Sequence, residues 1–198
     1  MTEEQPPLQI RDPRVMRALA HPARMAIIDA LATGQTGTAT QFAQVVGLSP
    51  SATSYHLRAL AKYGLVEEAP SRGDGRERVW QRARSGLRFE AGPNEPPEVW
   101  EAGRLLVDAV LARDEAQARQ WMESADSDDP EWHQAARITK IHLLVTAEEL
   151  EKLNEAVDEL LKPYSFMRRL NPPEGARSVV VNYRAFPIDR LASGDHPQ

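Results

Sequence analysis

The chain has 198 residues, of which 41% are hydrophobic and 27% charged, with no cysteine and a formal net charge of −5. This composition can form a core in one or two domains, and it excludes a disulfide framework and any thiolate metal site. No apolar run approaches the roughly 18 residues needed to cross a bilayer and no signal peptide is apparent, so we expect a cytoplasmic protein without a membrane partner.

The charge is divided unevenly along the chain. Residues 1–90 hold 12 basic and 9 acidic side chains, whereas residues 91–198 hold 12 basic and 20 acidic ones. The basic excess of the first half allows contact with a polyanion, from which the acidic half would be held away. Because that excess is small, any affinity for nucleic acid should depend steeply on salt and on dimerisation.

Two short helices are predicted after a polar N-terminal tail. Residues 1–11 are polar and contain prolines, which is typical of a loose tail. Apolar residues then recur at helical spacing near 13–20 and 23–33. The side chains expected to face the core are Val15, Met16, Leu19, Ile27, Ile28 and Leu31.

The following segment carries the signals of a helix and a tight turn. Thr38 and Gln41 have the spacing of a capping box, which opens a short helix through Val46. Gly47 then offers the positive φ that a short turn between two helices needs.

A second helix is predicted between Ser49 and Gly64. Ser49 suits the N-cap, Pro50 suits the first helical position, and Gly64 suits a left-handed cap at the end. The apolar face consists of Ala52, Leu57, Leu60 and Ala61. Two helices joined by a short glycine turn indicate a helix-turn-helix.

The opposite face of this second helix is the most informative feature of the chain. It carries Ser51, Ser54, Tyr55 and Arg58. Short hydroxyls and a guanidinium suit phosphates and base edges, so we interpret the helix as one that reads DNA. An αα-hairpin that only packs against the core is the alternative.

A β-hairpin is predicted directly after the second helix. Residues 65–69 and 78–82 have the composition of short strands, and two glycines lie between them. A hairpin in this position is a wing, and its arginines Arg72, Arg76 and Arg78 suit the DNA backbone or a minor groove. Ordinary solvated charges are the alternative.

Residues from about 12 to 82 resemble the winged helix of the ArsR-type bacterial transcriptional repressors. The resemblance lies in RVMRALAHPARMAIIDAL, FAQVVGLSPSATSYHLRALAKYGLVEE and the wing GDGRERVW, and it covers a little over a third of the chain. It implies a dimeric repressor that places the helix at 49–62 in the major groove. Metal-sensing members use cysteine pairs or close-set Asp and His ligands on helices, and this sequence has neither pattern.

The sequence after residue 90 predicts a linker rich in proline, followed by a second structural unit. The winged helix would occupy 12–90, the linker 91–97, the second unit 98–190 and a short tail 191–198. In the second unit we expect helices at 98–125, 130–136 and 146–166, with strands at 138–145 and 177–186. The predicted fold class is therefore mainly α with small β elements, with an α+β C-terminal unit.

This second unit is interpreted as a dimerisation domain. A lone two-stranded sheet is marginal in water, so it must be covered by helices or paired with another copy. We expect the long helix to form a subunit interface. A pocket for a small-molecule effector in the same unit is a second, compatible role.

The histidines and the catalytic motifs decide whether the chain carries other sites. His21 and His56 suit phosphate contacts, although His56 could equally pack beside Leu57 as a half-buried residue. His133 and His142 lie near acidic or strand residues, but their spacing does not predict a metal site. No nucleophile elbow, phosphate loop or dinucleotide glycine motif is present, so neither an enzyme nor a cofactor is expected.

The sequence therefore predicts a homodimeric transcriptional regulator, a repressor, bound to an operator in double-stranded DNA. The residues expected to contact DNA are Thr38, Ser49, Ser51, Ser54, Tyr55, His56, Arg58, Arg72, Arg76 and Arg78. Two alternatives remain: a sensor that a small-molecule effector releases from DNA, and a winged helix that binds only proteins.

Overall fold

A computed structural model describes residues 8–70, 77–84, 87–89, 94–124, 128–165, 168–169 and 171–188. This part of the chain is mainly helical with two small sheets, which confirms the predicted class, mainly α with small β elements. Both sheets lie within residues 8–89, so the α+β character predicted for the C-terminal unit is not seen in its described residues. Its helices are α1 (Pro13–Leu19), α2 (Pro22–Ala32), α3 (Ala39–Val46), α4 (Pro50–Lys62), α5 (Pro97–Ser124), α6 (Pro130–Ala135) and α7 (Ala147–Leu161). Its strands are β1 (Leu8–Ile10), β2 (Gly37–Thr38), β3 (Val66–Glu68), β4 (Val79–Arg82) and β5 (Leu87–Phe89).

Local capping determines where α1 to α4 begin. The Asp12 carboxylate accepts the Arg14 N–H at the start of α1, and His21 Nδ1 accepts the Ala23 N–H at the start of α2. The reciprocal capping box of Thr38 and Gln41 starts α3 as predicted. These bonds satisfy N–H groups that the first turn of a helix cannot pair by itself.

The turns around α4 have the predicted glycine geometry. Gly47 follows α3 with φ 66°, and Gly64 follows α4 with φ 65°. Both values lie in the left-handed region, which an L side chain rarely adopts. Leu57 and Leu60 of α4 are buried, so the apolar face of the helix is packed on the core.

The wing belongs to a sheet of three strands in the order β2-β4-β3, all antiparallel. The predicted strands β3 and β4 are confirmed, whereas β2 was not predicted because it has only two residues. Trp80 in the central strand is almost fully buried and lies opposite both Gly37 and Glu68. The predicted tip of the wing, with Arg72 and Arg76, lies outside the described residues.

The prediction of a loose tail is wrong for its last residues. Leu8–Ile10 forms β1, which pairs in parallel with Leu87–Phe89. Ile10 is buried in the core. A strand of three residues stays paired here because its partner, 79 positions further along, presents a matching edge and an apolar contact.

The first turns of α5 complete the core of the winged helix. Val99, Ala102 and Leu106 are buried with Met16 and Leu19, in one cluster with the apolar residues of α2 and α4. This part of α5 therefore packs with the N-terminal helices rather than with a separate C-terminal unit. Across the described residues, no helix is both long and apolar enough to span a bilayer.

A polar link joins the middle of α5 to α2. Arg113 Nε donates to the Asp29 carboxylate at 2.7 Å, and Gln117 Nε2 donates to the same oxygen at 3.2 Å. Burial lowers the pKa of the nearby Arg82 guanidinium in β4, and the Asp29 carboxylate opposes this shift. Asp29 thus connects the long helix to the base of the wing.

The C-terminal helices agree with the sequence, but the two predicted strands do not form. The helix predicted to reach 166 ends at Leu161, and Pro163 lies in the 3-10 turn Lys162–Tyr164 that follows. Residues 138–145 and 177–186 contain neither helix, turn nor bend. They belong to neither sheet, because within the described chain no second strand pairs with either of them.

Candidate nucleic-acid interface

The α4 helix presents one buried and one exposed face. Thr53, Leu57 and Leu60 are fully buried, and the Thr53 hydroxyl donates to the Ser49 carbonyl at 3.0 Å. Tyr55 is 59% exposed, and Arg58 is exposed one turn further along. The core therefore fixes the rotation of the helix, so that the predicted polar face points away from the protein.

Hydroxyl groups cluster at the N-terminus of α4. Ser49 Oγ accepts the Ala52 N–H at 3.2 Å, and it lies 3.1 Å from Ser51 Oγ. Both serines are exposed. Exposed hydroxyls at the positive end of a helix dipole are suited to a phosphate oxygen.

Arg58 is anchored to its own helix and retains further donors. Its Nε donates to the Ser54 carbonyl at 3.2 Å. A guanidinium carries five N–H donors, so this single bond leaves the group able to form the paired hydrogen bonds that read guanine. Tyr55 lies on the same exposed face, one turn before Arg58.

An open depression lies where α4 meets the wing. Its volume is about 420 Å³, and it is lined by Ala39, Thr40, Ser54, Arg58, Glu77, Arg78 and Trp80. Thr40, Glu77 and Trp80 were not predicted as site residues, because only the sheet brings β4 beside the start of α3 and the middle of α4. The depression therefore brings Ser54 and Arg58 of the predicted helix face next to Arg78, the one predicted wing arginine among the described residues.

The Arg78 guanidinium forms one ion pair within the protein. Its Nη1 lies 2.9 Å from Glu68 Oε1 on the neighbouring strand, with both side chains more than half exposed. An exposed pair of this kind contributes about 0–1 kcal/mol to stability. A phosphate can therefore compete with Glu68 for the guanidinium at little cost.

Thr38 caps α3 and keeps a hydroxyl proton that it can donate. Its Oγ1 accepts the Gln41 N–H at 3.3 Å, and its own N–H donates to Gln41 Oε1 at 2.8 Å. The hydroxyl proton is not needed for the capping box, so Thr38 can still donate it to a phosphate.

His56 does not share the exposed face of α4. It is only 8% exposed, and its ring centroid lies 4.6 Å from that of His21 and 5.5 Å from that of Tyr55. Arg24 Nε donates to His56 Nδ1 at 3.4 Å. The structure thus corresponds to the alternative in which His56 packs inside the domain and not on the exposed polar face of α4.

This burial leads to a prediction for the pH dependence of stability. Burial is the main cause that lowers the pKa of His56, and the charges of His21 and Arg24 act in the same direction. As the pH falls below the ordinary value of 6.5, the unfolded chain binds a proton that folded His56 resists. We therefore expect the free energy of unfolding to be highest above that pH and to fall below it.

Urea unfolding between about pH 5 and pH 8 measures this effect. The His56→Gln variant is the control, because a glutamine oxygen can still accept the Arg24 bond but does not titrate. The variant should lose less stability on acidification than the natural chain. The same pH slope in both proteins would show that His56 is not the group responsible.

Two histidines of the C-terminal half, His133 and His142, lie outside any metal-binding cluster of the described residues. The His133 ring stacks on Trp121 with 6.3 Å between the centroids, and His142 lies in one of the runs without secondary structure. Within the described ranges, no three His, Asp or Glu side chains come together in a way that could hold a metal ion.

The helices α2 to α4, followed by the antiparallel strands β3 and β4, define a winged helix-turn-helix domain. This is a class of domain that enters the DNA major groove with its second motif helix. Residues 19–69, about a quarter of the chain, match the protein family described as a helix-turn-helix domain. No curated protein matches the sequence.

Several solved structures resemble the chain weakly. A double mutant of ZitR from Lactococcus lactis in its apo form is 16% identical, with a TM-score of 0.34 over 74% of this chain and 84% of that one. PcaV from Streptomyces coelicolor, in complex with its natural ligand, is 13% identical, with a TM-score of 0.30 over 72% and 74%. A MarR mutant from E. coli is 14% identical, with a TM-score of 0.30 over 75% and 86%.

Proposed function

We propose that the protein is a DNA-binding transcription regulator of the ArsR type, acting as a homodimeric repressor. The observation that carries this proposal is the exposed polar face of α4, with Ser51, Tyr55 and Arg58, on a helix whose opposite face is locked into the core. Helices in this position of a helix-turn-helix enter the major groove.

The surroundings of α4 support the same function. The depression beside Arg58 continues onto the wing through Arg78, which directly precedes β4, so groove and backbone contacts would adjoin. The hydroxyls of Thr38 and Ser49 lie at the N-termini of the two motif helices, where phosphates bind. This set contains both base-reading and phosphate-binding groups.

The proposed operator is a pseudo-palindrome. A single domain of this size offers few base contacts and a modest basic charge, so two copies are needed for strong and selective binding. Related by a two-fold axis, the two α4 helices would enter successive major grooves about 34 Å apart.

Selection of duplexes from a random pool, followed by fluorescence anisotropy at two salt concentrations, tests the proposal. We expect a two-fold symmetric motif to be enriched and to bind about 10³-fold more tightly than a scrambled duplex, with affinity falling as salt rises. A pool that yields no motif, together with equal binding to all duplexes, would refute a sequence-specific regulator.

A further inference from the structure

The described residues of the C-terminal half form no core of their own. From Val107 to Ile188, not one of the described residues is buried. The α7 helix nevertheless has an apolar stripe, of which Leu150, Leu153 and Val157 are only partly covered. An amphipathic helix needs a surface against which this stripe can pack.

The two runs predicted as strands are the most exposed apolar part of this half. We call residues 137–145 the first segment and residues 177–188 the second segment. Leu144 is fully exposed, Ile141 is 72% exposed and Val180 is 61% exposed. The other exposed large apolar residues of the two segments are Ile138, Leu143, Val145, Val179, Val181, Tyr183, Phe186 and Ile188.

The backbone of both segments is also unsatisfied by the protein. Each segment runs without helix, turn or bend, and among the described residues no backbone hydrogen bond or ladder joins it to another segment. β-branched and aromatic residues in such a run favour a paired strand. An unpaired edge of this kind is a template for another strand.

The second segment is nevertheless held in place by its side chains. The Arg177 guanidinium lies 4.9 Å from the Trp132 ring and binds the Asp128 carboxylate at 2.7 Å. The Tyr183 hydroxyl donates to Asn154 Oδ1 at 3.0 Å, which ties the segment to α7.

A further ion pair ties this segment to α5. Arg184 pairs with Asp114 in the middle of that helix. Side chains from three helices therefore hold the second segment in place, while its backbone forms no hydrogen bond to another described segment. Because the segment is already positioned, little ordering would be needed for it to pair with a partner strand.

We propose that the first and second segments form a β-sheet with the same segments of a second copy, and that this intermolecular sheet is the dimer interface. This inference deepens the proposed homodimer by naming the surface that joins it, and it does not depend on DNA binding. The interface would thus be made by strands, whereas the sequence led us to expect the long helix.

The exposed area fits a second copy. Eleven large side chains at roughly 100 Å² each expose about 1,100 Å² per copy over both faces of the segments, compared with about 800 Å² per partner in a standard stable interface. Burying this area on a two-fold axis would cover both copies at once.

The charges of the two segments are compatible with a second copy. The segments carry Arg137, Lys140, Arg177 and Arg184 and no acidic residue. Arg177 and Arg184 are already paired within the chain with Asp128 and Asp114, so the positive charge that would oppose the meeting of like segments is partly neutralised. A second copy brings a strand edge of the same length and composition.

The absence of cysteine from the chain allows a direct test. Ile141→Cys, Leu143→Cys, Val179→Cys, Val180→Cys and Val181→Cys are made one at a time, mixed in pairs without DNA, oxidised and separated on a non-reducing gel. Lys152→Cys, on the charged face of α7, is the matched control.

We expect covalent dimers from segment cysteines with a two-residue periodicity, because alternate side chains of a strand share a face. The control should give at least ten-fold less dimer. If the segment cysteines give no more covalent dimer than Lys152→Cys, the proposal is overturned. A light-scattering dimer without segment cross-links would also overturn it, and would place the dimer contact elsewhere.

A second measurement uses Val180→Pro, which removes a ladder N–H from the second segment. We expect its mass in solution to fall from twice 22.1 kDa to 22.1 kDa, with the helical circular dichroism signal retained. A folded Val180→Pro protein that remains a full dimer would overturn the proposal. Because neither measurement involves DNA, their outcome is independent of the proposed regulator function.

Discussion

Replacing Arg58 by alanine is expected to reduce the preference for the selected operator over random DNA by about 1–3 kcal/mol, or roughly 5- to 150-fold. The reason is that a guanidinium on the exposed face of α4 can form two hydrogen bonds to one base edge, which alanine cannot. The side chain is exposed and hydrogen-bonds the Ser54 carbonyl of its own helix, so folding should be little affected. Anisotropy titration on the operator and a scrambled duplex measures the change.

Two control variants separate base reading from charge. Arg58→Lys keeps the positive charge without the paired donors, so it should retain non-specific binding while losing most of the preference. Arg78→Ala should weaken binding to both duplexes alike and flatten the salt dependence, because we assign that side chain to the backbone. Equal losses on both duplexes for Arg58→Ala would refute its role in reading bases.

Gly103→Ala is expected to destabilise the protein by about 1–3 kcal/mol, although alanine favours a helix by about 1 kcal/mol over glycine. A Cβ at position 103 would lie 2.4 Å from Cζ of Phe89, so the ring or the helix must move. The ring belongs to β5 and packs against the core that α5 completes, which limits the space for it to yield. Urea unfolding measures the loss.

A double-mutant cycle tests the cause of that loss. In a Phe89→Ala background the ring is gone, so Gly103→Ala should become neutral or stabilising by up to about 1 kcal/mol. This reversal of sign distinguishes a steric clash from other effects of the substitution. The same destabilisation in both backgrounds would refute the clash.

Signals that lie within a few residues of one another were predicted well. The capping box of Thr38 and Gln41, the N-cap Ser49 and the glycines at 47 and 64 each act within one helical turn, and each appears as expected. The exposed face of α4 follows from the same logic, because apolar spacing decides which side of a helix is buried.

Other features of the candidate site depended on packing between distant parts of the chain. His56 lies between the predicted polar and apolar faces of α4, and its burial depends on His21 and Arg24 from another helix. The depression at Arg58 exists only because β4 pairs with β2 and brings Arg78 and Trp80 beside the motif. The pattern of residues along the sequence does not predict these contacts.

The sequence by itself determined the positions of the helices, the two motif helices with their glycine turns and the flanking wing strands, since these depend on local backbone preferences and capping. Only the tertiary structure decided the parallel pairing of β1 with β5, the docking of α5 through Gly103 on Phe89, and the absence of a sheet from 138–145 and 177–186. A strand forms only when a partner satisfies its backbone N–H and C=O groups, and the identity of that partner is not encoded in the composition of the strand.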